Sequence, residues 1–401
     1  MGRSALLVFL LACLSWADPA TAGLQPEPFA SGELSHWDGP QFVEADRAGH
    51  VYFLRADTLQ VYPVTKEGTL GEPIRLKPGA KPIGEILNAA MSPDGEKWLL
   101  QSPFSIWLFA DGKEKPVPPL TWKPESVGFH RDDPLVAVAP MPLGKRIDPD
   151  KIATPPWLLE LGSDRWSVLR DLEGVSVAEL LASGEKWNDA IAESSVLVAP
   201  GRLGHLWMAH QYAYRLQRLS PTGRSRLEIT VGDGKVQHEG EKGPSQWSHG
   251  SGALKQKGSY QTWTAATAIL DLAEGPDGRL YLLVPTESGG LALDRYDPVR
   301  LALERVSVKL STEGRFTIAA GKDALYLAAW NGTKGRWRLP WEALEEAEWA
   351  PVENAAMDGI PMDAEGDSSK QTSKPADRKR PAAKPAVRAS GSAARKVPTQ
   401  E

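Results

Sequence analysis

The residue types most able to do chemistry are spread thinly along this chain. Its histidines stand at positions 36, 50, 130, 205, 210, 238 and 249. The sequence contains no H-E-x-x-H helix motif, no Walker A loop, no G-x-S-x-G nucleophile elbow and no paired cysteines. His50 and His205 each follow the glycine of a recurring turn, so the repeat explains them better than catalysis. No catalytic residue is predicted, and the sequence leaves open whether the protein is an enzyme.

One segment gathers several candidate binding residues. Residues 232–264 read GDGKVQHEGEKGPSQWSHGSGALKQKGSYQTWT, which is rich in Gly, Ser, Lys and Gln and lacks periodicity, so we predict a long loop. Carboxylate and imidazole are standard metal ligands, although the spacing of the histidines matches no metal motif. Rigid aromatic side chains dominate contact energies at interfaces. The candidate binding residues of this loop are therefore Asp233, His238, Trp247, His249 and Trp263.

These residues must be positioned by a repeated element. In five stretches an aromatic residue follows a turn Gly or Asp by three positions: Gly49 to Tyr52, Gly95 to Trp98, Gly204 to Trp207, Gly278 to Tyr281 and Asp323 to Tyr326. A sixth stretch, beginning at Asp133, lacks the aromatic residue. Each copy is flanked by short strand-like runs, four to a unit. The pattern predicts an all-β, six-bladed propeller of four-stranded antiparallel blades with the aromatic residues packed between blades.

Two of the units are about thirty residues longer than a typical blade. The first excess, residues 174–193, has apolar residues near helical spacing and predicts a short helical insertion. The second is the 232–264 loop. Both insertions follow the last strand of one blade and precede the first strand of the next, so both project from the same side, which we call the insertion-bearing face. The propeller is predicted to span residues 23–357, with residues 24–36 as a poorly patterned candidate for a closing strand and residues 348–352 as the last outer strand.

The chain ends have distinct compositions. Residues 1–22 combine Arg3, an apolar run and an Ala20-Thr21-Ala22 cleavage pattern, and predict a secretory signal peptide. We therefore expect a secreted or periplasmic bacterial protein; in the alternative, Leu10-Leu11-Ala12-Cys13 is a lipobox and Cys13, the only cysteine, carries a lipid anchor.

Residues 358–401 are rich in Lys, Arg, Ala and Pro and predict a disordered basic tail. Nine Lys/Arg and two acidic residues lie from Lys370 onward, whereas the whole chain has a formal net charge of −5. Export makes nucleic acid an unsuitable partner, so the tail either interacts weakly with an anionic envelope surface or only adds solubility.

The repeated D/G-x-L-[YW]-L pattern resembles the six-bladed propellers of the NHL and SMP-30/gluconolactonase type. The resemblance implies a divalent cation, usually calcium, held in the central channel by oxygen ligands. The family's Glu-Gly-Pro-x-Trp opening corresponds to Asp38-Gly39-Pro40-Gln41-Phe42, with Asp in place of Glu and Phe in place of Trp. Asn88 and Asp271, on predicted inner strands, would complete the oxygen set, with Asp271 one position away from the family's Pro-Asp-Gly ligand.

Two functions follow from these observations. In the first, the protein is an exported binding or scaffolding module without a cofactor, and a protein or carbohydrate partner docks on the insertion-bearing face. In the alternative, it is a calcium-dependent hydrolase of the lactonase type that uses Asp38, Asn88 and Asp271 in the channel.

Overall fold

The computed structural model describes residues 23–29, 40–143, 152, 154–182, 190–236, 249–256, 259–286, 289–310, 315–329 and 335–359. Residues 1–22, Asp38, His238, Trp247 and residues 360–401 lie outside these residues.

The first three blades follow one another directly along the chain. Blade 1 contains β2 (Gln41–Ala45), β3 (Val51–Arg55), β4 (Gln60–Pro63) and β5 (Ile74–Arg75). Blade 2 contains β6 (Asn88–Met91), β7 (Lys97–Gln101), β8 (Ile106–Ala110) and β9 (Lys113–Lys115). Blade 3 contains β10 (Trp122–His130), β11 (Asp133–Pro142), β12 (Pro156–Leu161) and β13 (Trp166–Asp171).

Blades 4 to 6 repeat the same antiparallel order. Blade 4 contains β14 (Val196–Pro200), β15 (Leu206–His210), β16 (Arg215–Leu219) and β17 (Ser225–Val231). Blade 5 contains β20 (Asp271–Glu274), β21 (Leu280–Pro285), β22 (Leu291–Asp297) and β23 (Ala302–Val308). Blade 6 contains β24 (Phe316–Ala320), β25 (Ala324–Ala329) and β26 (Arg336–Pro340), with β1 (Glu27–Pro28) as its outermost strand. Each innermost strand contacts those of both neighbouring blades, so the predicted six-bladed propeller is confirmed.

The N-terminal segment closes the ring. Glu27 and Pro28 pair with Arg338 and Trp337, and the Phe29 amide donates to the Arg336 carbonyl at 2.8 Å. The prediction that residues 348–352 form the outer strand of blade 6 is therefore wrong. Instead, β27 (Ala350–Pro351) adds a fifth strand to blade 5, because β1 already covers β26.

A further strand, β28 (Ala355–Gly359), pairs with β17 and widens blade 4. The last two residues of β28, Asp358 and Gly359, fall within the segment that the sequence assigns to the tail, so the predicted start of the tail is too early by these two residues. The backbone of β28 pairs with residues 227–231, more than a hundred positions away, which no local composition could indicate.

The aromatic residues of the repeat lie between blades, as predicted. Tyr326 of blade 6 is buried against Phe53 of blade 1, with ring centroids 6.4 Å apart. Trp207 of blade 4 packs edge-on against Tyr296 of blade 5 at 5.9 Å. Large buried rings between sheets supply much of the apolar area that a single sheet cannot bury alone.

The glycine of the repeated turn has a steric role as well as a conformational one. Gly49 has φ +80°, and a Cβ built there would lie 2.9 Å from the backbone nitrogen of Lys322 in the first turn of blade 6. The same nitrogen donates to the Gly49 carbonyl at 3.0 Å. Gly95, Gly204 and Gly278 share the positive φ of Gly49, so the left-handed turn explains why glycine recurs, and at Gly49 the contact with blade 6 adds a steric reason.

The two insertions differ in structure. The first contains α1 (Val177–Ala182) and a second helical segment, residues 190–194, which we label α2; this confirms the predicted helical insertion. The second is only partly a loop, because β18 (His249–Gln256) and β19 (Ser259–Ala266) form an eight-pair antiparallel hairpin. The long-loop prediction is wrong for these residues. A third short helix, α3 (Trp341–Glu346), follows blade 6. None of the helices in the described ranges has the length and apolar character needed to cross a bilayer.

Ring closure can be tested with a phenylalanine pair. Phe29 is buried and stacks on Phe53 at 5.7 Å, whereas Phe104 is 63% exposed. We expect Phe29→Ala to lower the free energy of unfolding by about 3–5 kcal/mol, the cost of emptying a buried aromatic site. Phe104→Ala should change it by less than about 0.5 kcal/mol. Urea denaturation of the two variants measures both values, and equal losses would contradict a closing role for the N-terminal segment.

Two glycines of similar φ allow the effect of the contact between turns to be separated from the effect of backbone conformation. Gly49 and Gly174 have φ of +80° and +75°, but a Cβ at Gly174 would meet no atom within 4 Å. Alanine in this left-handed region costs about 1–2 kcal/mol at either site. We expect Gly49→Ala to destabilise the protein by at least about 1 kcal/mol more than Gly174→Ala, because only Gly49 contacts a neighbouring turn. If thermal unfolding shows that both variants lose the same stability, the close approach of the turns does not restrict the residue at position 49.

Candidate functional site

A central channel runs between the six innermost strands. It encloses a cavity of about 900 Å³ that is lined by residues from every blade. Most of its wall is apolar, including Phe42, Val127, Val198 and Phe316. Polar and charged side chains, among them Asn88, Asp271 and Thr317, also line the cavity. An apolar cavity into which polar groups converge is the usual form of a ligand site.

Asp271 is the polar channel residue whose environment is clearest. It begins β20, and its Oδ2 accepts a hydrogen bond of 2.7 Å from the Ile318 amide of blade 6, while Oδ1 accepts from the Leu272 amide at 2.9 Å. Burial raises the pKa of this carboxyl to about 7, because desolvation outweighs the two amide hydrogen bonds. The group is therefore largely protonated in mildly acidic solution.

Glu44 is a second buried carboxyl in the channel, and sequence reasoning did not identify it. It lies on β2, and its pKa is raised well above the usual range, first by desolvation and second by the charge of Asp271. Its carboxyl also accepts a hydrogen bond from the Met91 backbone of blade 2. The available signal was a lone acidic residue within the otherwise apolar run Phe42-Val43-Glu44-Ala45.

These polar side chains share one structural role. The innermost strand of each blade has an edge that faces the channel, where backbone amides have no partner strand. Asp271 binds such an amide in blade 6, Glu44 binds one in blade 2, and Thr317 Oγ1 accepts from the Val43 amide at 3.1 Å. Each bond joins two neighbouring blades, so these side chains connect blades 5, 6, 1 and 2 around the channel.

The described residues do not fit the calcium centre that the family resemblance implies. Asn88 and Asp271 do line the same cavity, as expected, while Asp38 lies outside the described residues. Within the described ranges, no three His, Cys, Asp or Glu side chains come close enough together to hold a metal. Both Asp271 oxygens already accept backbone hydrogen bonds, and calcium requires six to eight oxygen ligands from ionised or carbonyl groups.

A group of charged residues lies at the insertion-bearing end of the channel. Arg315 precedes β24 of blade 6 and lies within electrostatic range of Glu125 on the opposite blade 3 and of Tyr212 in blade 4. Burial raises the pKa of Glu125, and the nearby Lys123 and Arg315 partly offset the rise. Lys123 Nζ also pairs with Glu125 Oε1 at 2.5 Å. This group of charges spans the channel end from which the insertions project.

The candidate residues of the second insertion are placed as follows. Asp233 is exposed, and its Oδ1 accepts from the Lys235 amide at 3.1 Å. His249 and Trp263 lie on the two strands of the hairpin, with Trp263 opposite Gly252 and His249 opposite Ala266. His238 and Trp247 fall outside the described residues. The hairpin therefore carries two of the five predicted binding residues.

The histidines of the blades make structural contacts. His50 Nδ1 pairs with Asp46 Oδ2 at 2.8 Å, and His205 Nδ1 lies 3.1 Å from the Leu219 carbonyl. His130 bonds Glu160 at 2.5 Å. His210 is buried beside Arg215, and burial followed by that positive charge holds its pKa well below the usual range. These contacts agree with the expectation that the repeat, and not catalysis, explains His50 and His205.

Comparisons with known proteins find only distant structural similarities. No protein-family model matches the chain, and no curated protein matches it either. Among solved structures, a Bacteroides thetaiotaomicron protein of unknown function is similar at 10% identity and a TM-score of 0.44, over 80% of this chain and 70% of that one. A streptogramin B lyase is similar at 14% identity and a TM-score of 0.42, over 84% and 99% of the two chains.

A third similar structure is the WD40 repeat domain of RRP9, at 12% identity and a TM-score of 0.43, over 84% of this chain and 99% of that one. The chain is a six-bladed β-propeller by its own strand topology, and propellers host many unrelated functions. We take no activity from these similarities.

The buried Asp271 carboxyl predicts a pH dependence of stability. Its pKa is about 7 in the folded protein and 3.8 ordinarily, so the folded state holds the extra proton between these values and stability falls as pH rises from about 4 to 7. Asparagine does not titrate. We compare the free energy of unfolding of Asp271→Asn with that of the native protein at each pH. We expect this difference to shift in favour of Asp271→Asn by about 1 kcal/mol or more as the pH rises from 4 to 7.5.

Urea denaturation at pH 4, 5.5 and 7.5 measures this difference. Asp133→Asn, which removes an exposed carboxyl at the start of β11, serves as the matched control and should show no such trend. A constant difference between Asp271→Asn and the native protein across this range would mean that Asp271 ionises normally in the channel.

Proposed function

We propose that this protein is an exported binding or scaffolding propeller whose partner is a protein that docks on the insertion-bearing face. The observation that carries the proposal is the hairpin of β18 and β19. It lies between blades 4 and 5, and within the described residues neither of its strands pairs with a strand of a blade.

A free hairpin of this length offers backbone donors and acceptors along both outer edges. Exposed edges of this kind are readily extended by a strand from another chain, and proteins usually cover or blunt them when no partner is intended. Each hairpin strand has eight residues, longer than most blade strands of this protein. An extended protein segment suits such an edge better than a carbohydrate does, because it supplies a complementary series of amides and carbonyls.

The two insertions form one surface at their bases. Ile191 and Ala192 of α2 are buried with Tyr212 of blade 4, and Val236 from the start of the second insertion packs against the same cluster. The helical insertion and the base of the hairpin segment are therefore fixed beside each other on the same blade. A partner on this face could contact both insertions at once.

The two ends of the chain carry the export and envelope parts of the proposal. Residues 1–22 direct export, and the basic residues from Lys370 onward add weak attraction to an anionic envelope surface, which salt would screen. The hydrolase alternative has less support, because no three His, Cys, Asp or Glu side chains of the described residues come close enough together to hold a metal.

A photo-crosslinking experiment tests the docking face. We would place p-benzoylphenylalanine at Thr262 on β19 and, as the control, at Arg165, an exposed position in a turn of blade 3 on the opposite face. After irradiation in the native host, Thr262→p-benzoylphenylalanine should give at least one discrete protein adduct that the Arg165 variant lacks.

The adduct is identified by mass spectrometry, and unlabelled purified protein should reduce its yield when added in excess. Identical adducts from both positions, or no protein adduct from Thr262, would overturn docking on the insertion-bearing face. An adduct that glycosidase removes and protease does not would indicate that the partner is a carbohydrate and not a protein.

A further inference from the structure

The first turns of the six blades line the channel mouth opposite the insertion-bearing face. This second face, formed by the turns that join the first and second strands, we call the turn face. Besides several glycines, Ala48, Leu203 and the carboxylate Asp46, the turns contribute Arg47, Pro93, Arg131, Arg202, Pro276 and Lys322 to the cavity lining, from blades 1 to 6 in order. The four cations lie on blades 1, 3, 4 and 6 and form a broken ring of positive charge.

Two carboxylates, Asp46 and Glu274, lie beside the four cations, so the mouth carries more positive than negative charge. Asp46 binds His50 Nδ1 at 2.8 Å, and Glu274 binds Trp207 Nε1 at 2.7 Å and Arg202 Nε at 3.3 Å. Arg202 is therefore already paired.

The other three cations lack such partners. Within the described ranges, the exposed side chains of Arg47, Arg131 and Lys322 make no hydrogen bond or ion pair. Three positive charges at this end of the cavity thus have no ion-pair partner among the described residues, and they are available to an anion from solution.

The ring of cations is held on a fixed frame. The Lys322 amide donates to the Gly49 carbonyl at 3.0 Å, and the Arg47 amide donates to the Pro93 carbonyl at 2.7 Å. Arg131 Nε lies 3.1 Å from the position that a Cβ on Gly204 would occupy. Each cation is thus carried by a turn that contacts the next blade, so an anion would be bound without ordering a loop.

A strained apolar residue stands beside the ring. Leu203 lines the cavity mouth, is 85% exposed and has φ 58°, a left-handed conformation that a branched side chain rarely adopts. Neither burial nor packing explains a leucine at this position. Exposed apolar groups and backbone outliers of this kind concentrate at binding sites, where the ligand supplies the missing contact.

We propose that the turn-face mouth binds a small amphipathic organic anion. Its acidic group would lie among Arg47, Arg131 and Lys322, and its apolar body would contact Leu203 and extend into the channel. The cavity volume of about 900 Å³ is of the size that holds small molecules, and a ring of charge around a concave mouth suits a single inserted group better than a flat macromolecular surface. This site is separate from the docking surface on the insertion-bearing face.

Binding of 8-anilinonaphthalene-1-sulfonate to the full chain tests the proposal, because this dye is both anionic and apolar and fluoresces when its surroundings exclude water. We expect saturable binding at one site per chain, weakened by added salt. Decanoate should displace the dye, whereas decanol, which lacks the charge, and inorganic phosphate, which lacks the apolar body, should not displace it at the same concentrations.

Two double variants locate the site. Arg47→Gln with Lys322→Gln should weaken dye binding at least tenfold, while Lys113→Gln with Lys115→Gln, two exposed cations on the outermost strand of blade 2, should leave it within twofold. Both pairs remove the same charge, so a general effect of net charge would act equally on them. Equal binding by the two double variants, or multiple weak sites in every variant, would overturn the proposal.

Leu203→Gly gives an independent readout. Glycine relieves the left-handed strain, so the urea midpoint should rise, while the loss of the apolar contact should weaken dye binding at least threefold. A purely structural role for Leu203 predicts that stability falls and binding is unchanged, and that result would remove the apolar part of the site. If polyglutamate displaces the dye and decanoate does not, the ligand of this site is an acidic macromolecule and not a small anion.

Discussion

The close contact between the first turns of neighbouring blades is the constraint on which the rest of this propeller depends. At Gly49 there is no room for a Cβ, because the backbone of Lys322 lies against it and donates a hydrogen bond to its carbonyl. Such contacts set how near the innermost strands come to one another, and therefore the width of the channel. They also fix the residue that each turn presents at the channel mouth.

Local pattern was sufficient to predict the blades, because each turn glycine and its aromatic residue perform the same packing task in their own unit. The pattern failed where pairing depends on distant partners. Glu27–Pro28 is too short and polar to indicate a strand, and its position follows only from the open edge of β26, some three hundred residues away. Residues 350–351 have the character of an outer strand, but that edge was already occupied, so they cover blade 5 instead.

In the channel, too, local sequence predicted the position of a residue but not its partners from other blades. Asp271 was predicted to face the channel, and it does, but its oxygens satisfy amides of its own strand and of blade 6. An amide of the neighbouring blade needs a hydrogen-bond acceptor at that point. The sequence around Asp271 gives no sign of that amide. Glu44 was missed for the same reason, since its partner at Met91 belongs to blade 2.

The two ends of the channel differ in a way that separates the two proposed surfaces. At the insertion-bearing face Lys123 and Arg315 both act on Glu125, so the charged groups there interact with one another. At the turn face the side chains of Arg47, Arg131 and Lys322 make no ion pair with another described residue. Coupling between sites requires an element with two arrangements that each ligand prefers differently. The innermost strands are bonded to their neighbours at the turns and along the channel, and among the described residues of this ring we identify no such element. The docking surface and the channel mouth should therefore bind their ligands independently.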